Sequence, residues 1–193
     1  MSVAQRQPNR VPSADRLVTA EEFARHPEWG PCELIRGKVR PLTNPKPKHG
    51  LVSAEIAYRI GHFARTGKLG RVFTNDAGML IERNPDTVRG PDIGFIRTER
   101  VPANLDEYLQ VPYDLCVEVV SPSDAWSDVT EKVDMYLEAG VALVWVIDPQ
   151  KGNAHVFRQG RETLLIASTG SLDGEDILPG FALSLADLWA AAQ

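Results

Sequence analysis

Residues 114–136 read Asp-Leu-Cys-Val-Glu-Val-Val-Ser-Pro-Ser-Asp-Ala-Trp-Ser-Asp-Val-Thr-Glu-Lys-Val-Asp-Met-Tyr. Extended upstream to Tyr113, the first part is rich in Leu, Val and Cys and is closed by Ser121-Pro122-Ser123, so residues 113–120 read as a buried strand. Glu118 interrupts the apolar run. A carboxylate there carries a large desolvation cost unless a metal ion, a cation or hydrogen bonds compensate it. The strand therefore predicts a partner for Glu118. Residues 127–139 then read as a helix closed by Gly140. Asp128, Lys132 and Tyr136 fall at i, i+4 and i+8 on one face of it, which by itself amounts to an exposed ion pair worth about 0.3–0.5 kcal/mol.

Downstream, residues 141–147 form a second buried-strand run stopped by Asp148-Pro149. Residues 154–157 and 163–167 read as shorter strands around Gln159-Gly160, and a helix over 185–191 is capped by Ser184. Upstream, Thr19 and Glu22 make a capping box for a short helix ending near Pro27. Residues 33–40 read as strand, Gly37 turn and strand. Glu33, at the start, is either a solvated edge carboxylate or a site residue. Residues 41–49 hold Pro41, Pro45 and Pro47 with Lys46, Lys48 and His49, which predicts an extended loop whose cations are solvated or approach a phosphate. His49 could instead meet a metal-bound water or cap the next helix. From Gly50 a helical stripe runs through Leu51, Ala54, Ile56, Ala57, Ile60, Phe63 and Ala64 to Gly67. Residues 71–82 read as extended chain bent near Gly78, followed by an Asn84-Pro85-Asp86 turn. Pro91 fits the first residue or the edge of a strand. It places Asp92 at a strand entrance, on the face of Gly94 and Ile96, with the small Gly94 leaving room for a ligand. Residues 98–112 read as a surface connection with one helical turn at 105–109.

The 193 residues suit one domain, assigned to residues 17–193, with residues 1–16 as a flexible polar tail. No apolar run approaches the ~20 residues that span a bilayer, and the N-terminus has no signal-peptide core, so a cytoplasmic protein with no membrane role is expected. Cys32 and Cys116 are too few for a disulfide scaffold or a zinc ribbon and read as small buried residues. A net charge of −5 argues against a broad basic surface, but leaves open an enzyme that meets nucleic acid through a metal site.

Strand, strand, helix, strand with acids on the strands predicts a mixed β-sheet flanked by helices. If Asp92 and Glu118 lie on neighbouring strands about 4 Å apart, they repel by roughly 1–4 kcal/mol. A divalent cation turns that repulsion into binding. Oxygen donors suit Mg²⁺ or Mn²⁺, and zinc is disfavoured without a Cys/His set. A nearby lysine could then orient or deprotonate a water for attack on phosphorus.

Pro91-Asp92, Val117-Glu118-Val119-Val120-Ser121-Pro122-Ser123-Asp124, then Asp128, Lys132 and Tyr136, Gly140-Val141 and Trp145-Val146-Ile147-Asp148-Pro149 together resemble the Uma-type restriction endonuclease family. That family is a branch of the PD-(D/E)XK nuclease superfamily. Glu33-Leu34-Ile35-Arg36-Gly37 and His49 resemble its N-terminal motifs, so the likeness covers roughly residues 17–188. It implies an α/β, restriction-endonuclease-like mixed sheet with additional N-terminal and C-terminal strands. It also implies metal-dependent cleavage of DNA phosphodiesters, with Asp92 and Glu118 as metal ligands. The superfamily's usual Glu-x-Lys is broken here, because Val120 stands two residues after Glu118. The resemblance transfers the cation to Lys132, one helix later. Glu33, Asp124 and Asp128 are candidate extra carboxylates, Asp124 and Asp128 equally suiting the helix's first turn, and Tyr136 is a packing residue whose hydroxyl supports Lys132. A homodimer is expected from how two strands of a duplex are commonly cut. Two rivals stay open: a catalytically silent module that binds nucleic acid or a protein partner, and a hydrolase of smaller phosphoesters.

Overall fold

The computed structural model describes residues 11–13 and 15–192. The expected tail over residues 1–16 therefore lies largely outside the described residues; within it, Val11 packs against an apolar cluster around Trp29 and Leu34.

The chain begins with α1 (Ala20–Ala24), whose Thr19 Oγ1 accepts from Glu22 N at 3.2 Å, as the capping box predicts, followed by a 3₁₀ turn over Pro27–Trp29. β1 (Cys32–Ile35) and β2 (Lys38–Pro41) form a hairpin whose turn, Arg36-Gly37, has φ of 48° and 74°. Positive φ at both central residues matches the right-handed strand twist. α2 (Pro47–Thr66) starts three residues earlier than the Gly50 boundary expected from sequence. Pro47 occupies the first turn, where its missing N–H costs nothing and its fixed φ favours the helix. His49 is thus a helical residue. The buried stripe is Val52, Ile56, Ile60 and Ala64, while Leu51 is exposed.

β3 (Gly70–Thr74), β4 (Met79–Glu82), β5 (Thr87–Arg89) and β6 (Ile93–Arg97) follow. The helical turn expected at 105–109 is absent. Leu109, 5 % exposed, instead docks as a parallel bridge on Met79, with its N–H on Gly78 O and its carbonyl accepting from Leu80 N. Burial of the leucine decides the conformation of that segment. Then come β7 (Leu115–Val119), α3 (Trp126–Glu138), β8 (Leu143–Asp148), β9 (Asn153–Phe157) and β10 (Leu164–Ile166). A short hairpin, β11 (Ser171–Asp173) and β12 (Ala182–Ser184), which the sequence reading did not resolve, precedes α4 (Leu185–Ala191).

Six strands make the main sheet in the order β10-β9-β8-β7-β6-β3, and β7–β8 is its parallel pair. A separate antiparallel sheet runs β2-β1-β5-β4. Alternation along β7 organises the core. Leu115, Val117 and Val119 face the cluster built with α2 and α4, whereas Cys116 faces the cluster that holds Val133 and Tyr136 of α3. Glu118 shares the parity of Cys116 and so points toward α3. Each fully buried Val, Leu or Ile in these clusters stabilises the fold by about 1.5–3 kcal/mol, so the sheet is a rigid base for what hangs from its end.

Gly94 does not leave room for a ligand. A Cβ there would meet the Tyr113 ring at 2.4 Å, so the space is filled by an aromatic side chain whose hydroxyl donates to Ala77 O at 2.8 Å. Cys116 is buried and Cys32 half-buried, and both are free.

Candidate active site

The register of β6 on β7 pairs Ile93 with Val117, so one step further Asp92 stands alongside Glu118. Asp92 Oδ2 accepts from Val119 N at 2.7 Å, which ties the entrance of β6 to the end of β7. Glu118 is met from α3. Lys132 Nζ donates to its Oε2 at 3.0 Å and lies 3.0 Å from Oε1, and Tyr136 Oη donates to Oε1 at 2.9 Å. The shared helical face of Lys132 and Tyr136 is therefore turned inward, and both residues meet the one acid that the β7 strand could not bury alone.

The second sheet closes the site from the other side. Glu33 on β1 is 4 % exposed, so it is no solvated edge carboxylate. Its Oε2 accepts from Arg89 Nε at 3.0 Å and has Arg89 Nη2 at the same distance. Its Oε1 is buried without a hydrogen bond, with Lys132 Nζ 3.4 Å away but out of line for one. Arg89, at the end of β5, also points Nη1 at Met135 Sδ, 3.5 Å away. His49 Nε2 lies 3.2 Å from Asp92 Oδ2, and its Nδ1 lies 3.4 Å from Ser53 Oγ.

These groups line one cavity of about 580 Å³ open to solvent, bounded by Glu33, His49, Asp76, Arg89, Asp92, Glu118, Asp128 and Lys132. Tyr136 reaches Glu118 from the packed side. Asp128 is exposed at the rim, with Ser127 Oγ 3.4 Å from its carboxylate. Asp124 turns back to accept from Ser121 N at 2.7 Å. Another cavity, about 600 Å³, lies beside Phe73 and Tyr108. There Arg83 and Glu21 pair with each other at 2.6 Å near the surface, and Asp92, Glu118 and Lys132 do not line it.

Arg89 and Asp76 escaped the sequence reading. Arg89 had a signal, a charged residue in a short β-branched strand just before Gly90-Pro91-Asp92. Asn75-Asp76, expected in extended chain ahead of a bend near Gly78, adopts φ of 64° and 53°, and these are residue types that tolerate left-handed backbone. Gly90 accommodates that turn, since a Cβ there would strike Asp76 O at 2.2 Å. Asp76 is exposed as a residue, yet packing around its carboxyl pushes its pKa up, aided by Asp92 and Glu33 and opposed by Lys132.

Three carboxyl groups, Glu33, Asp92 and Glu118, face the cations Lys132 and Arg89 and the imidazole of His49. Burial pushes the Glu118 carboxyl up to about 8, with Asp92 and Glu33 adding to the shift and Lys132 opposing it. Burial works against the Lys132 ammonium, but Glu118 and Glu33 outweigh it and raise its pKa, so the amine stays charged. The hydrogen bond to Asp92 raises the pKa of His49. Among the described residues no three His, Cys, Asp or Glu side chains are already gathered as a metal cage. The donor chemistry nevertheless fits a hard cation, because Asp92 and Glu118 offer oxygen alone.

The sequence profile of the family described as "Uma2: Putative restriction endonuclease" matches residues 20–186. The chain belongs to the Uma2 family. A crystal structure of a putative nuclease belonging to DUF820 from Anabaena variabilis superposes with a TM-score of 0.80 at 24 % identity, covering 91 % of this chain and 99 % of that one. That likeness shows the fold. No curated protein matches the chain. Family membership and fold together support a nuclease of the restriction-endonuclease-like class, and no helix among the described residues is long and apolar enough to cross a membrane.

Proposed function

We propose that this Uma2 protein is a metal-dependent endonuclease that hydrolyses DNA phosphodiester bonds. Asp92 and Glu118 would hold Mg²⁺ or Mn²⁺, and Lys132 is the third catalytic residue. The observation that carries this reading is the Lys132 ammonium, 3.0 Å from Glu118 although it comes from α3 and not from the strand. A helix thus supplies the amine that Val120 leaves missing.

The chain's own residues divide the work. The Val119 N–H fixes Asp92, and the Tyr136 hydroxyl fixes Glu118, so both acids keep their aim toward the cavity. Lys132, held charged by its carboxylates, donates hydrogen bonds to a water or a phosphate oxygen and does not abstract a proton. His49 holds Asp92 Oδ2 from α2 and would share that oxygen with the cation. When bound, the divalent ion would lower the pKa of a water and stabilise charge building on phosphorus. Cutting both strands of a duplex would call for two copies of the chain.

Nicking of supercoiled plasmid tests the proposal. Wild-type protein should nick with Mg²⁺ or Mn²⁺ and be silent in EDTA, and Asp92→Ala should be silent with either metal. No nicking by wild type across metals and across single-stranded, duplex and RNA substrates would overturn it in favour of a silent binding module.

A further inference from the structure

Two carboxylates face the Lys132 ammonium, and they are held differently. Glu118 makes both of its contacts to side chains of α3, so its oxygens can be taken by another ligand if Lys132 gives way. Glu33 cannot move in that manner. Arg89 grips its Oε2 with two nitrogens at 3.0 Å, and Arg89 is itself lodged against Met135, three residues beyond Lys132 on the same helix. The clamp leaves Oε1 buried and without a hydrogen bond, on a residue that lines the cavity. A buried carboxylate oxygen without a donor is costly, on the order of 1–3 kcal/mol or more. Such an atom in a native fold calls for a partner, a mobile donor or a water among them. The nearest charged donor is Lys132 Nζ, 3.4 Å away and needing only a small swing to come into line.

We propose that Glu33, pinned by Arg89, is a positioning residue that takes over the hydrogen bond of Lys132 when Glu118 turns its oxygens to a cation. The ammonium then stays in the cavity through the exchange. This rests on the two-carboxylate reading above, but it gives Glu33 a role distinct from that of a metal ligand. Arg89 becomes part of the machinery, since without it Glu33 would be free to rotate toward the ion. Lys132 would have two seats, and the unfilled hydrogen bond of Oε1 is the mark of the second.

Acetylation of Lys132 by N-hydroxysuccinimide acetate, followed by mass spectrometry, reads the seat directly, because an ammonium held by a carboxylate is protected. Without metal, Glu118→Gln should be labelled at Lys132 within about threefold of wild type, as Glu33 catches the amine. Glu118→Gln/Glu33→Gln should be labelled at least about tenfold faster, the effect of lowering the amine pKa by one unit. If Glu118→Gln alone is labelled as fast as the double variant, the second seat does not exist. Circular dichroism checks that the double variant folds; if it does not, the single variant Glu33→Gln decides. Adding Mn²⁺ should speed Lys132 labelling about tenfold in Glu33→Gln and leave wild type unchanged. Unchanged labelling in Glu33→Gln with Mn²⁺ bound overturns the proposal. So does a tenfold loss of Mn²⁺ affinity by Glu33→Gln in calorimetry, which would make Glu33 itself a ligand. Failure of wild type to bind Mn²⁺ would sink the two-carboxylate reading, and the metal-free arm would still decide the seat.

Discussion

Asp114 precedes β7 and Glu118 sits near its far end, and the two acids, the first buried and the second partly so, are satisfied by different means. Asp114 accepts from the Arg97 N–H at 2.8 Å and from the Arg100 guanidinium. Asp148, at the end of the neighbouring β8, accepts from the Gln150 and Lys151 N–H groups, both at 3.0 Å, with Lys151 Nζ also 3.0 Å away. Burial works to raise the Asp148 pKa, but those hydrogen bonds outweigh it and hold the carboxyl below its ordinary range. Glu118 receives only side chains, and its pKa is pushed up to about 8. Backbone donors cannot leave without unfolding a turn, whereas side chains can. A buried acid is thus available for chemistry when its partners are exchangeable, and burial alone does not distinguish the two kinds.

The widest separation between them should appear in activity. Lys132→Met and Glu118→Gln should each lower metal-dependent nicking by about 10²–10⁴-fold, the range for loss of a positioned catalytic group. Asp148→Asn should leave the rate per folded molecule unchanged. A Glu118→Gln protein that nicks at the wild-type rate would erase the distinction between the acids.

Stability should reverse the order. Asp114→Ala frees the Arg97 N–H and Asp148→Ala frees the Gln150 and Lys151 N–H groups, a loss of about 1–3 kcal/mol in urea unfolding. The discount for half-exposed Arg100 and exposed Lys151 is already in that figure, since surface-facing cations add little. Metal-free Glu118→Gln should be within about 1 kcal/mol of wild type, because a carboxyl whose pKa is pushed up to about 8 is disfavoured in its ionised form, and the uncharged amide still reaches Tyr136 while Glu33 faces Lys132. A lower melting temperature for Glu118→Gln than for Asp148→Ala would mean that Glu118 is structural.

A smaller effect follows from pH. The folded pKa of Glu118, about 8, is above its ordinary 4.5, so the native state holds the proton more tightly than the unfolded chain. Its contribution is complete below about pH 4.5 and is lost as pH rises through about 8. His49, raised by Asp92, acts in the same direction. Metal-free protein should therefore lose stability between pH 5 and 8.5 in chemical denaturation, and Glu118→Gln should flatten the slope. A wild-type slope of the opposite sign would show that Lys132 dominates the pair.

The main-sheet strands and the helices were legible in sequence because their signals are local: caps at Thr19 and Ser184, glycine stops at Gly67 and Gly140, apolar runs around β7 and β8. Of the groups that meet at the strand ends, Glu118 announced itself because an acid in an apolar run needs a partner, whereas Lys132 alone read as half of an exposed ion pair and was joined to Glu118 through the family resemblance. The Arg89–Glu33 clamp was not, since Leu34↔Val88 pairing joins segments far apart in the chain and no local pattern specifies that register. Gly94 misled for a related reason: a missing side chain reads as space, and only tertiary packing shows Tyr113 in it. The start of α2 was missed because three prolines outweighed the one at a helix's first position.

The smallest effect tests an acid of a third kind, one held neither by backbone donors nor by a catalytic partner. Asp128 stands in the first turn of α3, exposed at the cavity rim, and the cap residue Ala125 supplies no side-chain hydrogen bond there. Its carboxylate meets the positive end of the helix, an interaction worth about 0.3–1 kcal/mol and weakened by salt. Asp128→Asn should cost no more than that in urea unfolding, lose the cost in about 1 M salt, and change Mn²⁺ affinity by less than about twofold, since one exposed charge near an ion contributes little in water. Asp92→Asn, by contrast, should weaken Mn²⁺ binding at least about tenfold, as loss of a direct charged ligand does. If the two variants lose affinity equally in calorimetry, the cation is held at the rim as well as at the strand ends. The rule drawn from Asp114 and Glu118 would then need an exposed carboxylate that bends inward on binding.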